Sequence, residues 1–389
     1  MAGFSSAIKY VSCHDPSGYQ TGYEVAAGRY MEGLRKAGVS LTWAPMIPGG
    51  EWGLGYVPLV GRLPGMPLEE VCGLELDYDT VVVHTVPEYF PIWKAREPGK
   101  RIVGNTVWET DRPPAHWIPI LNGIDAVIVP TEWNRDVFRE AGVTVPIHVV
   151  PHAAPPPGLP PPDRDRFGIP PGDFCFYTIN SWTVRKALWL TIEAFLSAFT
   201  ADDPVCLVVK TGSRDMTRRY LGRFRRSTAR AVRQLTARHR RPARVILLPG
   251  EMEEAGIRVL HASCDCYVSL TRGEGWGLGA FDAGAHGRPV IMTGWGGQTD
   301  YLLPGAAWSV SYRMVPVLDR EGRGSYSPDQ RWADPDVAQA AGFMREAASD
   351  REAAADRGRR LGEFIHERFN SRRVTRLFLD ALGSSGGAS

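Results

Sequence analysis

The chain has almost no net charge: across 389 residues, 45 basic side chains stand against 43 acidic ones, a balance of +2 at neutral pH. Such a balance makes no demand for a nucleic-acid partner, although it permits local patches. The six cysteines, Cys13, Cys72, Cys175, Cys206, Cys264 and Cys266, form no C-x-x-C pair and no zinc-like spacing. They read as buried thiols of a reducing compartment. No apolar run approaches the roughly 20 residues of a membrane span. The first residues, MAGFSSAIKYVSCHD, lack the charged and then long apolar segments of a secretory signal. A soluble, cytoplasmic protein is the expectation. The first glycine loop does not match G-x-G-x-x-G, and nothing among the acidic residues argues for a bound divalent ion, so neither a metal site nor a resident cofactor is predicted.

A chain of this length suits two domains of ordinary size. Short runs rich in Val and Ile alternate with segments of helical periodicity, the pattern of parallel strands joined by crossover helices. The runs fall at 8–12, 80–84, 101–104, 126–129 and 147–150, then at 174–179, 205–209, 245–248, 266–270 and 289–292. Between the two sets lies PHAAPPPGLPPPDRDRFGIPPGD, beginning at Pro151. Proline lacks a ladder donor and breaks helices, so this segment predicts a linker of restricted flexibility, hinged near residues 152–170. The expected class is α/β, with two doubly wound Rossmann-like domains over residues 1–155 and 156–370 facing each other across a cleft. Ligands are expected at the carboxyl ends of the strands. The tail from Gly383, GSSGGAS, has neither an apolar anchor nor charge and predicts disorder.

Most of the chemistry is concentrated in RGEGWGLGAFDAGAHGRPVI, residues 272–291. Glu274 sits among Gly273, Gly275, Gly277 and Gly279 in a turn that leads into a helical segment closed by Gly287, Arg288 and Pro289. Glycine permits close approach of the backbone to a ligand. The helix start offers free N–H groups and the positive end of its dipole to an anion such as a diphosphate. A second carboxylate, Asp282, lies about 12 Å further on if the whole interval is helical. That spacing suits the two ends of an elongated ligand better than one reacting atom.

A glutamate, seven residues and a second acid within EGWGLGAFDAGAHGRPVI resemble the E-x7-E signature of family 4 retaining glycosyltransferases, enzymes of the GT-B fold. The resemblance implies that Glu274 contacts the donor sugar and that Gly277, Leu278 and Gly279 meet the diphosphate through their backbone. It gives the ribose hydroxyls to Asp282, with Asp in place of the family's Glu. In NSWTVRKALWLTIEAF, Arg185 and Lys186 stand at the entrance to a helix. Two cations there suit a diphosphate whose negative charge grows as the glycosidic bond breaks. The family carries an Arg after this strand and a Lys in an RKG-like element; here Ser181 occupies the first position and Arg185 is the candidate substitute. In GWGGQTDYL, Gly296 and Gly297 precede a helix expected near Gln298, matching a family segment that also meets the diphosphate. Lys210, at the end of CLVVKTG, is either a further phosphate ligand or an exposed strand-end lysine.

The first half carries weaker signals. CHDPSGYQTGYEVAAGRYMEGLRKAGV is a loop with Gly18 and Gly22 followed by an amphipathic helix. It resembles the loop that the family brings to donor phosphate and acceptor, with Gly22 at the helix start and His14, Tyr19 and Gln20 nearby. His84 closes a strand where the family often carries an active-site histidine, and equally reads as a satisfied strand-end residue. Glu109, Thr110, Asp111 and Arg112 follow another strand, either lining an acceptor pocket or forming a capped surface loop. The terminal segment, 371–389, resembles the helix that crosses back to the first domain in GT-B enzymes, with a helix remaining on the second domain as the alternative.

The implied activity is metal-independent hexosyl transfer from a UDP- or GDP-linked sugar to a hydroxyl of a sugar, cyclitol or glycan, with retention by front-face displacement. Glu274, His84, Arg185 and Lys186 are the candidate catalytic residues. A nucleotide-sugar 2-epimerase and a catalytically silent binding relative fit the same scaffold. The span from Arg214 to Arg244 holds twelve arginines and one acid, Asp215, with Tyr220, Phe224, Val232 and Leu235 interspersed. It reads as a solvated face in preference to a membrane-binding one, and no nucleic-acid motif accompanies it. Residues 311–336 read as an insertion whose aromatics cover the cleft or pack.

Overall fold

A computed structural model describes residues 7–16, 21–49, 55–59, 61, 68–217, 227–319 and 324–383. Gly18, Tyr19, Gln20, Tyr220, Phe224 and the tail after Gly383 lie outside the described residues. The chain divides into two compact units. One comprises Met1–Trp108, Arg112–Ala154 and Arg368–Ser389; the other comprises Glu109–Asp111 and Pro155–Glu367.

The first unit is built on seven strands: β1 (Ala7–Cys13), β2 (Leu41–Gly49), β3 (Gly55–Pro58), β4 (Tyr78–His84), β5 (Arg101–Asn105), β6 (Ala126–Val129) and β7 (Ile147–Val149). Their order is β3-β2-β1-β4-β5-β6-β7, parallel throughout except for the β2–β3 hairpin. Near-continuous aliphatic runs such as Val81–Val83 are buried because helices cover both faces of such a sheet. The helices are α1 (Gly22–Lys36), α2 (Phe90–Arg96), α3 (Trp117–Leu121) and α4 (Glu132–Glu140). Strand β2 was not among the expected runs, and it contains Pro45 and Pro48, which have no backbone donor for a ladder. Pro45 pairs in register with Ser12 of β1 and accepts a hydrogen bond through its carbonyl from Leu59.

The second unit has a six-stranded parallel sheet of β8 (Phe174–Ile179), β9 (Val205–Thr211), β10 (Arg244–Pro249), β11 (Cys266–Ser269), β12 (Val290–Thr293) and β13 (Trp308–Val310). The order is β10-β9-β8-β11-β12-β13. The span expected as an insertion forms an antiparallel hairpin, β14 (Tyr312–Pro316) and β15 (Arg331–Pro335). Helices α5 (Leu188–Ala198), α6 (Thr228–Thr236), α7 (Glu254–Ser263), α8 (Leu278–Ala285), α9 (Val337–Ser349) and α10 (Arg351–Arg368) complete it. One core gathers α5, α6 and α9 over the sheet through Ile192, Phe195, Val232, Leu235 and Met344. Helix α6 turns Val232 and Leu235 inward and Arg230 and Arg233 outward.

The last helix, α11 (Ser371–Gly383), belongs to the first unit, where Val374, Phe378 and Leu382 join the core beside Tyr30 of α1. All six cysteines are buried free thiols. Among the described residues no helix is long and apolar enough to cross a membrane.

Candidate active site

In the second sheet the chain leaves β8 toward β9 on one side and β11 toward β12 on the other, so β8 and β11 flank the topological switch point. Open α/β sheets bind ligands in the crevice this reversal creates at the strand ends. The loops after the two strands meet there: the Arg272 amide donates to the Arg185 carbonyl at 2.8 Å. Those loops carry Glu274 on one side and Arg185 and Lys186 on the other.

The three side chains form one charged cluster. Lys186 Nζ donates to Glu274 Oε1 at 2.5 Å, and Arg185 Nη1 donates to Glu274 Oε2 at 3.2 Å and to the Gly273 carbonyl at 2.7 Å. The second face of the guanidinium meets Glu109, with Nη2 to Oε1 at 3.3 Å, and Tyr326 donates to Glu109 Oε2 at 3.1 Å. Glu274 is 5% exposed. Burial works against its charge, yet Lys186 and Arg185 outweigh it and hold the carboxyl below the usual range. Burial also pulls the Lys186 ammonium down, with Glu274 opposing that pull. Arg185 is raised, as Glu109, Tyr326 and Glu274 overcome its desolvation. Lys186 commits one of its three N–H donors to Glu274 and has no other partner among the described residues, which leaves donors for an anion.

The helix starts beside the cluster are open. Helices α1, α4, α6 and α9 begin on side-chain caps, with Thr21, Thr131, Ser227 and Asp336 each accepting a backbone N–H. Helices α5 and α8, like α2, α3 and α7, have none; the cap positions of α5 and α8 are Ala187 and Gly277. Both residues are left-handed, with φ of 43° at Ala187 and 87° at Gly277. Glycine adopts that conformation freely, whereas an alanine there is strained, a feature that clusters at functional sites. The uncapped N–H groups of α8 are a ready place for a phosphate. Arg185 and Lys186 lie in the turn before α5 and not in its first helical turn, and the Thr183 hydroxyl accepts the Lys186 amide at 3.2 Å. Gly273 is fixed by crowding, since a Cβ would stand 2.0 Å from the Glu109 carbonyl oxygen.

The other predicted donor residues divide. Leu278 and Gly279 open α8, and Gly279 also lets the helix close on the sheet, since a Cβ there would lie 2.6 Å from the Tyr267 hydroxyl. The helix expected near Gln298 is a single 3-10 turn, Gly297–Asp300, with Gly296 at its cap. The Gly297 amide donates to the Glu274 carbonyl at 2.8 Å and so anchors the Glu274 backbone. Asp282 is half-buried in the second turn of α8. Burial raises the Tyr267 and Tyr301 hydroxyls, and the Glu274 and Asp282 charges push the same way. Lys210 donates to the Gly250 carbonyl at 2.8 Å, turned toward the end of β10. Asp111 is held by the hairpin, its amide donating to the Arg331 carbonyl and its carboxylate accepting the Arg331 amide at 2.7 Å. Thr183 and Ala187 had no sequence signal, and Tyr326 was marked only as one of the aromatics of residues 311–336.

The first unit has a switch point of its own, between β1 and β4, and His84 and Gly22 belong to it. Gly22 is the first residue of α1, behind the Thr21 cap. His84 is buried, its Nδ1 2.8 Å from the Tyr10 hydroxyl, with the Tyr23 and Tyr30 rings 5.5 and 5.8 Å away. Burial pushes its pKa down to about 3, so the ring stays neutral. Of its two readings, the packed strand-end residue is the one this environment fits. His14 is paired instead with Glu24, Nδ1 to Oε1 at 2.5 Å. A cavity of about 880 Å³ in this unit holds none of the predicted site residues; its Lys9 ammonium is occupied by Glu97 and Tyr78. Among the described residues no group of three or more His, Cys, Asp or Glu side chains could hold a metal ion.

No protein-family model matches the sequence, nor does any curated protein. Solved structures do resemble it over nearly its whole length. Sucrose-phosphate synthase from Thermosynechococcus elongatus superimposes with a TM-score of 0.70 at 16% identity, covering 98% of this chain and 100% of that one. A glycosyltransferase from Rickettsia africae gives 0.68 at 13% identity with the same coverage. Anabaena HepE in complex with UDP-glucose gives 0.66 at 13% identity, again over 98% and 100%. The fold is that of GT-B glycosyltransferases. Two parallel-sheet, Rossmann-like units are what that similarity and the strand orders have in common.

Proposed function

We propose that the protein is a retaining glycosyltransferase of the family 4 type, taking a sugar from a nucleotide-diphosphate donor to a hydroxyl of a sugar, cyclitol or glycan. The observation that carries this reading is the Glu274 carboxylate fixed by Arg185 and Lys186 at the switch point, with the uncapped start of α8 four residues on. UDP-glucose bound in HepE makes UDP-linked sugars the first donors to test, and GDP-linked ones the second.

In this reading Lys186, Arg185 and the amides of Leu278 and Gly279 hold the diphosphate, and Asp282 takes the ribose. Glu274 faces the sugar and keeps the two cations in place. As the bond from the anomeric carbon to the phosphate oxygen breaks, charge builds on the leaving diphosphate where preorganised donors stabilise it most. The acceptor oxygen enters from the same face and its proton passes to the departing phosphate oxygen, so configuration is retained and no second carboxylate is needed beside Glu274. A retaining glycosidase would require two carboxyl groups about 5 Å apart with separate acid and nucleophile roles. Glu274 and Glu109 are instead both engaged with Arg185. Positive charge from side chains and helix ends takes the part a divalent ion would otherwise play. Gly22 and its loop are assigned to the acceptor side, and His84 to shaping that strand end. The buried free thiols suit a reducing, cytoplasmic setting.

The test is turnover of UDP- and GDP-sugars by wild type and Glu274→Ala, with and without acceptor alcohols. Transfer should need an acceptor and vanish in the variant while nucleotide binding largely survives. Isomerisation of donor alone would mark an epimerase, and unchanged turnover in the variant would sink the assignment.

A further inference from the structure

Arg185 is held by two carboxylates, but the nucleotide-sugar reading uses only one of them. Glu109 approaches Nη2 at 3.3 Å while Glu274 approaches Nη1 at 3.2 Å. Counting Lys186, two cations face two carboxylates, so the cluster intended for a diphosphate is close to neutral. Glu109 is not there by accident of a flexible side chain. Its carbonyl packs against Gly273 so closely that no Cβ fits between them, Tyr326 donates to its second oxygen at 3.1 Å, and Asp111 is tied to Arg331 on the hairpin through both its amide and its carboxylate. The hairpin is in turn bound to the Glu274 loop, with the Ala333 amide on the Arg272 carbonyl and Arg272 Nη2 on Asp334 at 3.1 Å. Three separate segments therefore cooperate to keep a negative charge on Arg185.

We infer that Glu109, steadied by Tyr326, is a positioning and charge-balancing residue that limits how tightly the cluster holds a nucleoside diphosphate and so keeps product release fast. This rests on the nucleotide-sugar reading of the Glu274 cluster. A diphosphate arrives with at least two negative charges, and a fixed carboxylate beside its cationic ligand opposes it in proportion to proximity and burial. Glu109 has 18% of its side chain exposed and Arg185 17%, so solvent screens the repulsion only in part. Removing the charge while keeping the shape should tighten binding of the product. If release limits turnover, kcat should fall along with KM.

Calorimetric titration of UDP and GDP into wild type, Glu109→Gln and Glu109→Asp tests this, alongside kcat and KM for the sugar donor. The amide variant should bind the nucleoside diphosphate about ten-fold more tightly, with a steeper salt dependence and a lower KM. The aspartate variant, which restores the charge, should return to within about three-fold of wild type. A purely structural brace predicts the reverse, with weaker binding and a higher KM in Glu109→Gln. That result, or unchanged affinity, overturns the inference and leaves the donor-site reading standing. Absence of nucleotide binding by wild type would overturn both.

Discussion

The two sheets present the same topological feature and treat it in opposite ways. At the β1–β4 switch point two histidines are absorbed into packing: His84 bonds to Tyr10, Tyr30 bonds to His152, and burial keeps both imidazoles neutral. At the β8–β11 switch point, charge is gathered and held. Glu109, Arg185, Glu274 and Lys186 are linked in a chain of three ion pairs, beside two uncapped helix starts and a left-handed alanine. What distinguishes the second region is that it retains charge, unfilled donors and backbone strain, which packing would otherwise eliminate.

Matched substitutions sharpen the contrast. Lys186→Met, which leaves Glu274 with Arg185 alone, should lower turnover by about 100-fold or more, since under the proposed function it deletes a donor to the leaving group. His84→Gln should cost less than about ten-fold, because a neutral, packed ring supplies no proton-transfer chemistry. Initial rates with saturating donor decide it; equal losses would erase the distinction between the two switch points.

Crowding at the second switch point gives the next largest effect. Gly273→Ala places a Cβ against the Glu109 carbonyl and should destabilise the fold by about 1–3 kcal/mol, read by denaturant or thermal unfolding. A variant as stable as wild type would mean that the Glu109 segment moves aside easily.

The first switch point carries a pH signature. In the unfolded chain His84 binds a proton near pH 6.5, whereas in the folded protein it does so only near pH 3. The unfolded state therefore holds more protons across that window, and stability falls as pH drops from about 6.5 toward 3, by a few kcal/mol at most. His84→Gln should flatten part of that slope in unfolding free energies measured from pH 7 to pH 4. The smallest effect is expected at Ala187, where Gly removes left-handed strain but also a buried methyl; a change under about 1 kcal/mol is predicted.

Much of this was legible in the sequence because it depends on local pattern. The aliphatic runs marked ten of the thirteen strands of the two sheets to within a residue or two and missed β2, β3 and β13, and the glycine turn around Glu274 and the Arg185–Lys186 pair identified the groups that meet. What the sequence concealed depends on distant partners. Glu109 and Tyr326 are 217 residues apart and join only when the hairpin forms, and the hairpin itself lacks the long apolar alternation that announces strands. The Gly297 turn reads alike whether its amide meets a diphosphate or a carbonyl, so its bond to the Glu274 carbonyl was not legible in the sequence. The interval from Glu274 to Asp282 becomes helical only at Leu278, so its assumed length did not apply.

The central claim is that the charge kept at the second switch point serves a nucleoside diphosphate. Titration of UDP and GDP into wild type and Arg185→Gln, followed by calorimetry at fixed salt, tests it most directly. Saturable binding of at least one nucleotide by wild type, weakened about ten-fold or more in the variant, is the predicted result. Equal affinity in the two proteins, or no binding to either nucleotide, would contradict it.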